Sequence, residues 1–434
     1  MFLAKNEIKL YALMRDPIGR LLFLNALFVI IGYAIGNWTG GVLTGNVSIL
    51  KNVFLFGSFV YLLSSNSIIN PMGIFDSGFT PIVFGILILY VSIGTGTDSK
   101  GYFRVLTFFV PLVYVYLSLS YLVSKFGVSL LLSGLHWGLL LIYCVPLLIY
   151  IVSGGKIAAT NIYGPGGDEQ AFGSNNYGWS AAIYILAYLF VWKDVHLKKY
   201  WRIFFGFLFL IAIILFFTSA NRASWLSMAV AMIPFFFKYK ELNIKYKIAG
   251  ILVVLGFVAY LLADPNSSLN YASNKTEKQE QVGESRFETA QVMFDQFNAD
   301  KTRWITGIGM FNFNLLKNRD VLKGYHNSYY EVLFGAGIPL FLVFLSFMVL
   351  RPVVKFAKYY SKYTLLLPPL MIIPFFESNL TGGQFLFFPW FTFMLLLNAK
   401  KKYWNKATFD ASRKRREIMN DADLVESNTG NPVL

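Results

Sequence analysis

The chain has 434 residues, of which 56% are hydrophobic, 18% aromatic and 14% charged, with a formal net charge of +15. Soluble domains carry about 25% charged residues, so this chain has too few to coat a globule of its size, and its positive charge does not read as a nucleic-acid footprint. A single cysteine, Cys144, excludes an internal disulfide framework and a cysteine-based metal site.

Apolar runs of bilayer-crossing length predict about twelve spans in chain order. They lie near 21–36, 47–64, 80–95, 104–123, 132–152, 177–192, 202–218, 223–237, 247–263, 327–350, 364–377 and 383–399. The expected fold is all-α: a polytopic transmembrane helix bundle forming a single integral membrane domain over residues 1–434. No cleavable signal peptide is read, because Lys5, Lys9, Arg15 and Arg20 precede the first run and no small-residue cleavage site follows it.

Charge sets the expected sidedness. The N-terminal segment, KDVHLKKYWR, KYKELNIKYK, RPVVKFAKYYSKY and the tail from Lys400 together hold 24 of the 38 lysines and arginines. Putting both termini in the cytoplasm gathers all of these on one side, as the positive-inside rule requires. The large loop 264–326 then lies outside. Its first half is polar and irregular in character. Its second half spaces Phe287, Ala290, Met293, Phe294 and Phe297 as an amphipathic helix, on the outer membrane surface or over a cavity. Residues 400–434 read as a basic, disordered cytoplasmic tail.

Three places on the outer side carry candidate chemistry. In FFTSANRASWLSMAV, Arg222 stands in a tight polar break between two spans. Its planar fork suits phosphate, and a snorkelling arginine is the alternative. Arg286 opens the amphipathic stretch, and Gly307 and Gly309 make a flexible turn after it; a solvated pair with Glu284 or Glu288 is the alternative there. In KGYHNSYYEVLFGAGIPLFLVFL, His326 and Asn327 enter the tenth span, with Tyr330 and Glu331 on its first turns. Asn327 and Glu331 are four apart and share one helix face. An interfacial histidine in an aromatic belt is the alternative. No metal site is read, since His136, His196 and His326 are scattered, and no Walker motif is present.

Together these places resemble the superfamily of O-antigen ligases and Wzy-type O-antigen polymerases. TSANRASWLSM is similar to its arginine signature, with Asn221 where a serine is usual. SRFETAQVMFDQFNADKTRWITGIGMFNF resembles its second arginine segment, without the usual tryptophan after Arg286 and without the proline before Gly307. YHNSYYEVLFGAGIPLFLVFL resembles its histidine–asparagine segment, with Pro339 in place of a glycine. AFGSNNYGW resembles the N-x-[FY]-G segment before a span and brings in Asn176.

The resemblance implies a metal- and cofactor-independent glycosyltransferase in the bacterial inner membrane. It would take an undecaprenyl-diphosphate-linked glycan donor and a glycan acceptor at the periplasmic face, with a chain-length regulator as a possible further partner. His326, Arg286 and Arg222 would be catalytic, and Asn327, Tyr330, Glu331, Gly307, Gly309 and Asn176 would bind substrate. Polymerisation of repeat units is the first reading. Ligation to lipid A–core is the alternative, and a flippase of lipid-linked sugar the reading from another class.

Overall fold

The computed structural model describes residues 13–38, 44–65, 73–76, 99–154, 174–191, 199–219, 221–238, 285–309, 327–358, 365–376 and 387–404. The expected spans near 80–95 and 247–263 lie outside them, as does His326. The side chains of Asn176 and Arg286 are likewise outside the description, although both residues sit in helices.

Among the described residues the elements are helical: α1 (Pro17–Trp38), α2 (Thr44–Ser64), α3 (Ser99–Phe126), α4 (Val128–Val152), α5 (Ser174–Val191), α6 (Lys199–Thr218) and α7 (Arg222–Lys238). There follow α8 (Ser285–Ala299), the single turn α9 (Arg303–Thr306), α10 (Ser328–Phe344), α11 (Arg351–Lys358), α12 (Leu367–Phe376) and α13 (Phe387–Leu397). A π-helical stretch, Leu345–Leu350, joins α10 to α11.

α5 is the axis of the core. Every residue from Tyr177 to Ala187 is buried, which is where a helix apolar on all sides belongs. α4 runs antiparallel to it: Tyr150 meets Tyr177 edge-on at 5.7 Å, and His136 stacks on Phe190 at 3.9 Å. α6 covers another side of α5, with Tyr188 stacked on Phe209 and the Tyr184 hydroxyl donating to the Phe205 carbonyl at 3.1 Å.

The outer faces explain the composition. On α6, Phe205, Leu208, Ala212 and Leu215 are buried, whereas Ile203, Phe207, Leu210 and Ile214 are exposed at steps of one helical turn. α2 exposes Ile49, Val53, Phe56, Val60 and Leu63 in the same way. Continuous apolar stripes of this kind are a liability in water and the expected surface in lipid. Among the described residues, three helical segments are long and apolar enough to cross a membrane: Phe109–Phe126, Val128–Val152 and Lys199–Thr218.

Polar side chains tie the helices together. Asn25 on α1 donates to the Leu21 carbonyl, to Ser58 of α2 at 3.0 Å and to Tyr114 of α3 at 3.4 Å. Asp16 caps α1 by accepting from the Ile18 and Gly19 amides and receives the Lys125 ammonium of α3 at 2.7 Å. At that same end, Ser129 of α4 donates to the Trp404 carbonyl, and the backbones of residues 74–76 and 398–400 exchange hydrogen bonds. The first five residues of the expected disordered tail are thus folded against the bundle.

One expected span is corrected. Residues 327–350 are not one straight helix, because α10 breaks at Gly337 (φ 78°, ψ 170°). Tyr329 and Phe344 would stand about 22 Å apart along a continuous helix, yet their rings meet at 6.0 Å. The chain therefore folds back on itself, and its short first arm, 328–336, lies against the second. α12 and α13 have 10 and 11 described helical residues, about half of what a bilayer requires.

Candidate functional site

The first arm of α10 is a two-faced wedge. Tyr329, Val332 and Ala336, at helical spacing, face the main core. Tyr330, Leu333 and Phe334 face a separate small cluster made with Met293 and Phe297 of α8, Trp304 and Ile308. Phe334 meets the rings of Phe294 and Phe297 edge-on at 5.2 and 5.3 Å, and Phe297 meets Trp304 at 5.1 Å. Such aromatic pairs add about 0.5–1.5 kcal/mol each beyond the area they bury. The amphipathic face of α8 is thus covered by α10, not left for a membrane surface.

Backbone chemistry completes this docking. In an unbroken helix the Phe334 carbonyl would accept from Ile338 and the Gly335 carbonyl from residue 339. The turn at Gly337 removes the first donor, and Pro339 has no N–H to supply the second. Both carbonyls are taken instead by the amides of Ile308 and Gly309, each at 2.9 Å. Gly307 (φ 69°, ψ −169°) and Gly337 both occupy a region that is essentially glycine-only. A Cβ on Gly307 would collide with the Gly335 carbonyl, and one on Gly337 with the Ile305 carbonyl. Gly307, one of the two glycines expected at the substrate, lets segment 305–309 lie backbone to backbone on α10.

Asn327 begins the wedge. Its side-chain oxygen accepts from the amides of Tyr329 and Tyr330 at 2.9 and 3.1 Å, a full N-cap. Glu331, one turn on, has its amide bonded to the Asn327 carbonyl and is 4% exposed. The four-residue spacing places Asn327 at the N-cap, in extended conformation and outside the helix itself, and Glu331 in the first turn. The Tyr329 hydroxyl donates to the Met371 carbonyl of α12 at 3.0 Å, which fixes the wedge to the bundle.

The Arg222 break is built by the same device. Asn221 is buried, and its side-chain oxygen accepts from both the amide and the hydroxyl of Ser224, at 2.8 and 2.9 Å. The Trp225 indole donates across the turn to the Phe216 carbonyl at 2.8 Å. Asn221 thus does what a serine does at an N-cap, which explains why the departure from the usual residue is tolerated. Arg222 is the first residue of α7 and is exposed.

Gly178 sits directly beneath this turn, where a Cβ would overlap Asn221 and Ser219. The N-terminal end of α5, which carries Asn176, and the turn that carries Arg222 are therefore one local structure. Helix α7 also packs on α12, the helix that receives Tyr329. Both arms of the candidate site lean on that short helix.

Sequence reasoning missed the caps and the hinge. The signals were present: an asparagine immediately before each apolar run, and a glycine two residues ahead of a proline inside a supposed span. Among the described residues no group of three or more His, Cys, Asp or Glu side chains could hold a metal ion. The described cleft, between α1, α3, α4 and α13, is at the opposite end of the bundle from Arg222. Residues 207–345, which include the α6–α7 turn, α8 and the first arm of α10, match the family model described as O-antigen ligase. Comparison with curated proteins gave no match.

Proposed function

We propose, for a chain whose residues 207–345 match the family model described as O-antigen ligase, that it transfers a glycan from an undecaprenyl-diphosphate carrier to a glycan acceptor. Polymerisation of carrier-linked repeat units is the first reading. The observation that carries the site is the docking of α8, with Arg286 in its first turn, onto the arm of α10 that begins one residue after Asn327, itself the neighbour of His326.

The basic end of the bundle, with Asp16, Lys125 and Lys400–Lys402, is the cytoplasmic one by the positive-inside rule. Arg222 and the α10 arm then face the periplasm. A donor with its isoprenoid tail in lipid, its diphosphate at the interface and its sugar outside fits a site at that boundary.

In the reaction the acceptor hydroxyl attacks the anomeric carbon, and the bond from that carbon to the diphosphate oxygen breaks. The hydroxyl proton passes to the His326 imidazole, whose ordinary pKa suits a base near neutral pH. Negative charge grows on the departing undecaprenyl diphosphate. Arg222 and Arg286 stabilise it, and the amides at the N-terminus of α7 add to the positive field beside Arg222. Asn327 holds the register of the first turn after His326, and Glu331 orients the imidazole. Direct displacement of this kind inverts the anomeric centre.

Ligation to a lipid A–core acceptor is the second reading, favoured by the description of the matched family. Deletion of the gene separates the two. A single repeat unit on core marks a lost polymerase; bare core with carrier-linked polymer accumulating marks a lost ligase. Within either reading, His326→Ala and Arg286→Ala should insert normally and lose about 10²-fold or more in rate. A complete lipopolysaccharide ladder from both variants in the deletion strain would reject the site.

A further inference from the structure

A cleft of about 650 Å³, its open mouth included, separates α1 from α4 and α13 at the end of the bundle away from Arg222. Its lining is almost wholly apolar: Leu22 and Phe23 of α1, Leu119 of α3, Leu131 of α4 and Leu396 of α13 are representative, and Thr392 is its one side chain with a hydroxyl. Two glycines of α4 lie in its wall and let neighbouring side chains approach closely. A Cβ on Gly134 would lie 2.7 Å from a Leu13 methyl, and one on Gly138 would sit 3.5 Å from the Phe23 ring. Glycines one turn apart in a membrane helix ordinarily let a second helix close in. Here they seat Leu13 and Phe23 against α4, and the cleft lies beside these contacts.

The rim of this cleft is basic. Arg20 follows the lining residue Gly19 on α1 and is exposed. Lys401 and Lys402 are exposed in the turn that follows α13. That turn is held over the start of α4 by the bond from Ser129 to the Trp404 carbonyl, two residues before the lining Leu131. The acids described at this end are Asp16 and Asp76. Asp16 is already engaged by Lys125 and by the α1 amides, so its charge does not oppose an anion at Arg20.

An apolar slot under a cationic rim, in a bundle whose outer faces are lipid-facing, is complementary to one class of molecule. We propose that this cleft binds an anionic phospholipid from the adjoining leaflet, with one acyl chain between α1 and α4 and its phosphate against Arg20, Lys401 and Lys402. The apolar slot supplies burial of the chain. The rim supplies selectivity for negative headgroups, since each lysine or arginine near the surface favours them. The site is separate from the glycan-transfer site and does not depend on it.

The test uses the full-length protein, stripped of lipid in detergent and titrated with palmitoyl-oleoyl phosphatidylglycerol, palmitoyl-oleoyl phosphatidylcholine or undecaprenyl phosphate, with bound lipid counted by native mass spectrometry. The wild type should retain one phosphatidylglycerol with about tenfold or greater preference over phosphatidylcholine. Gly138→Leu, which fills the slot, should lose that lipid. The combined Arg20→Gln, Lys401→Gln, Lys402→Gln variant leaves the slot intact, and should keep a lipid but lose the headgroup preference. It also serves if Gly138→Leu fails to fold. An undiminished preference for phosphatidylglycerol over phosphatidylcholine in the triple-glutamine variant would overturn the proposal. So would undecaprenyl phosphate outcompeting phosphatidylglycerol in the wild type but not in Gly138→Leu.

Discussion

Among the described residues two hydrophobic clusters stand out, and they are built by different physics. The interior around α5 is made of long helices whose apolar faces are redundant: Ala181, Tyr184 and Leu186 are all at 0% exposure among many equivalent partners. The cluster under α8 has four buried members among the described residues, Met293, Phe297, Ile308 and Phe334. It is fixed by two backbone hydrogen bonds between distant segments and by two glycines in conformations that other residues rarely adopt. The first kind of packing tolerates loss of one contact. The second is an alignment of backbones, and a single added atom can undo it. Of the candidate catalytic residues, Arg286 lies in the first turn of α8, and His326 precedes Asn327 in the sequence.

Gly337→Ala tests that contrast most severely. The glycine-only conformation costs a side chain about 1–3 kcal/mol, and the new Cβ also meets the Ile305 carbonyl. Each 1.4 kcal/mol is tenfold in an equilibrium, so segment 305–309 should open about tenfold or more often. Limited proteolysis in residues 300–309 should rise accordingly, activity should fall, and the global melting transition should move little. Leu186→Ala is the opposite probe. It removes a fully buried side chain and costs about 2–5 kcal/mol. It should lower the melting temperature of the whole bundle while leaving activity per folded molecule near the wild-type level. If both variants behave alike, the two clusters form one cooperative unit and the comparison fails.

The contrast also explains what could be read in the sequence. The long apolar helices α4 and α6 were legible because they depend on composition and length alone. The amphipathic periodicity of α8 was legible too, down to Met293 and Phe297. What covers that face was not, because a hydrophobic stripe does not name its partner. The break at Gly337 was hidden inside a run that is apolar throughout, where the hydropathy signal carries no information about direction. Arg222 was found from its isolation between spans, whereas the role of Gly178 in seating its turn depends on contact between residues some forty positions apart.

Asn221 offers a milder perturbation on the better-packed side of the molecule. Asn221→Ala removes the acceptor for two bonds from Ser224 and should cost about 1 kcal/mol. Asn221→Ser should be close to neutral, since serine and asparagine rank alike as caps. Thermal melts of the two variants give the test. A serine variant as unstable as the alanine one would mean that Asn221 acts through something other than capping.

The smallest expected effect is a pH dependence confined to the α8–α9 turn. Asp300 accepts from the Thr302 hydroxyl at 2.6 Å, from the Thr302 amide at 3.2 Å and from Arg303 at 3.1 Å. The Thr302 hydroxyl is the main reason that its carboxyl is held below the ordinary value of 3.8, with Arg303 adding to it. A carboxyl whose folded pKa is depressed contributes stability that is fully present above its unfolded value and is lost as pH falls through the folded one. The turn should therefore be indifferent to pH near neutrality and loosen only below about 4, where the carboxylate is protonated. Hydrogen exchange in residues 300–306, corrected for the intrinsic rate at each pH, measures this. Protection in Asp300→Asn should be lower than wild type at pH 7 and converge with it in acid. Because the pair is exposed to solvent, added salt should shrink the difference by weakening the Arg303 contribution and leave the part due to Thr302. A difference that salt abolishes altogether would assign the turn to the ion pair instead of the hydroxyl.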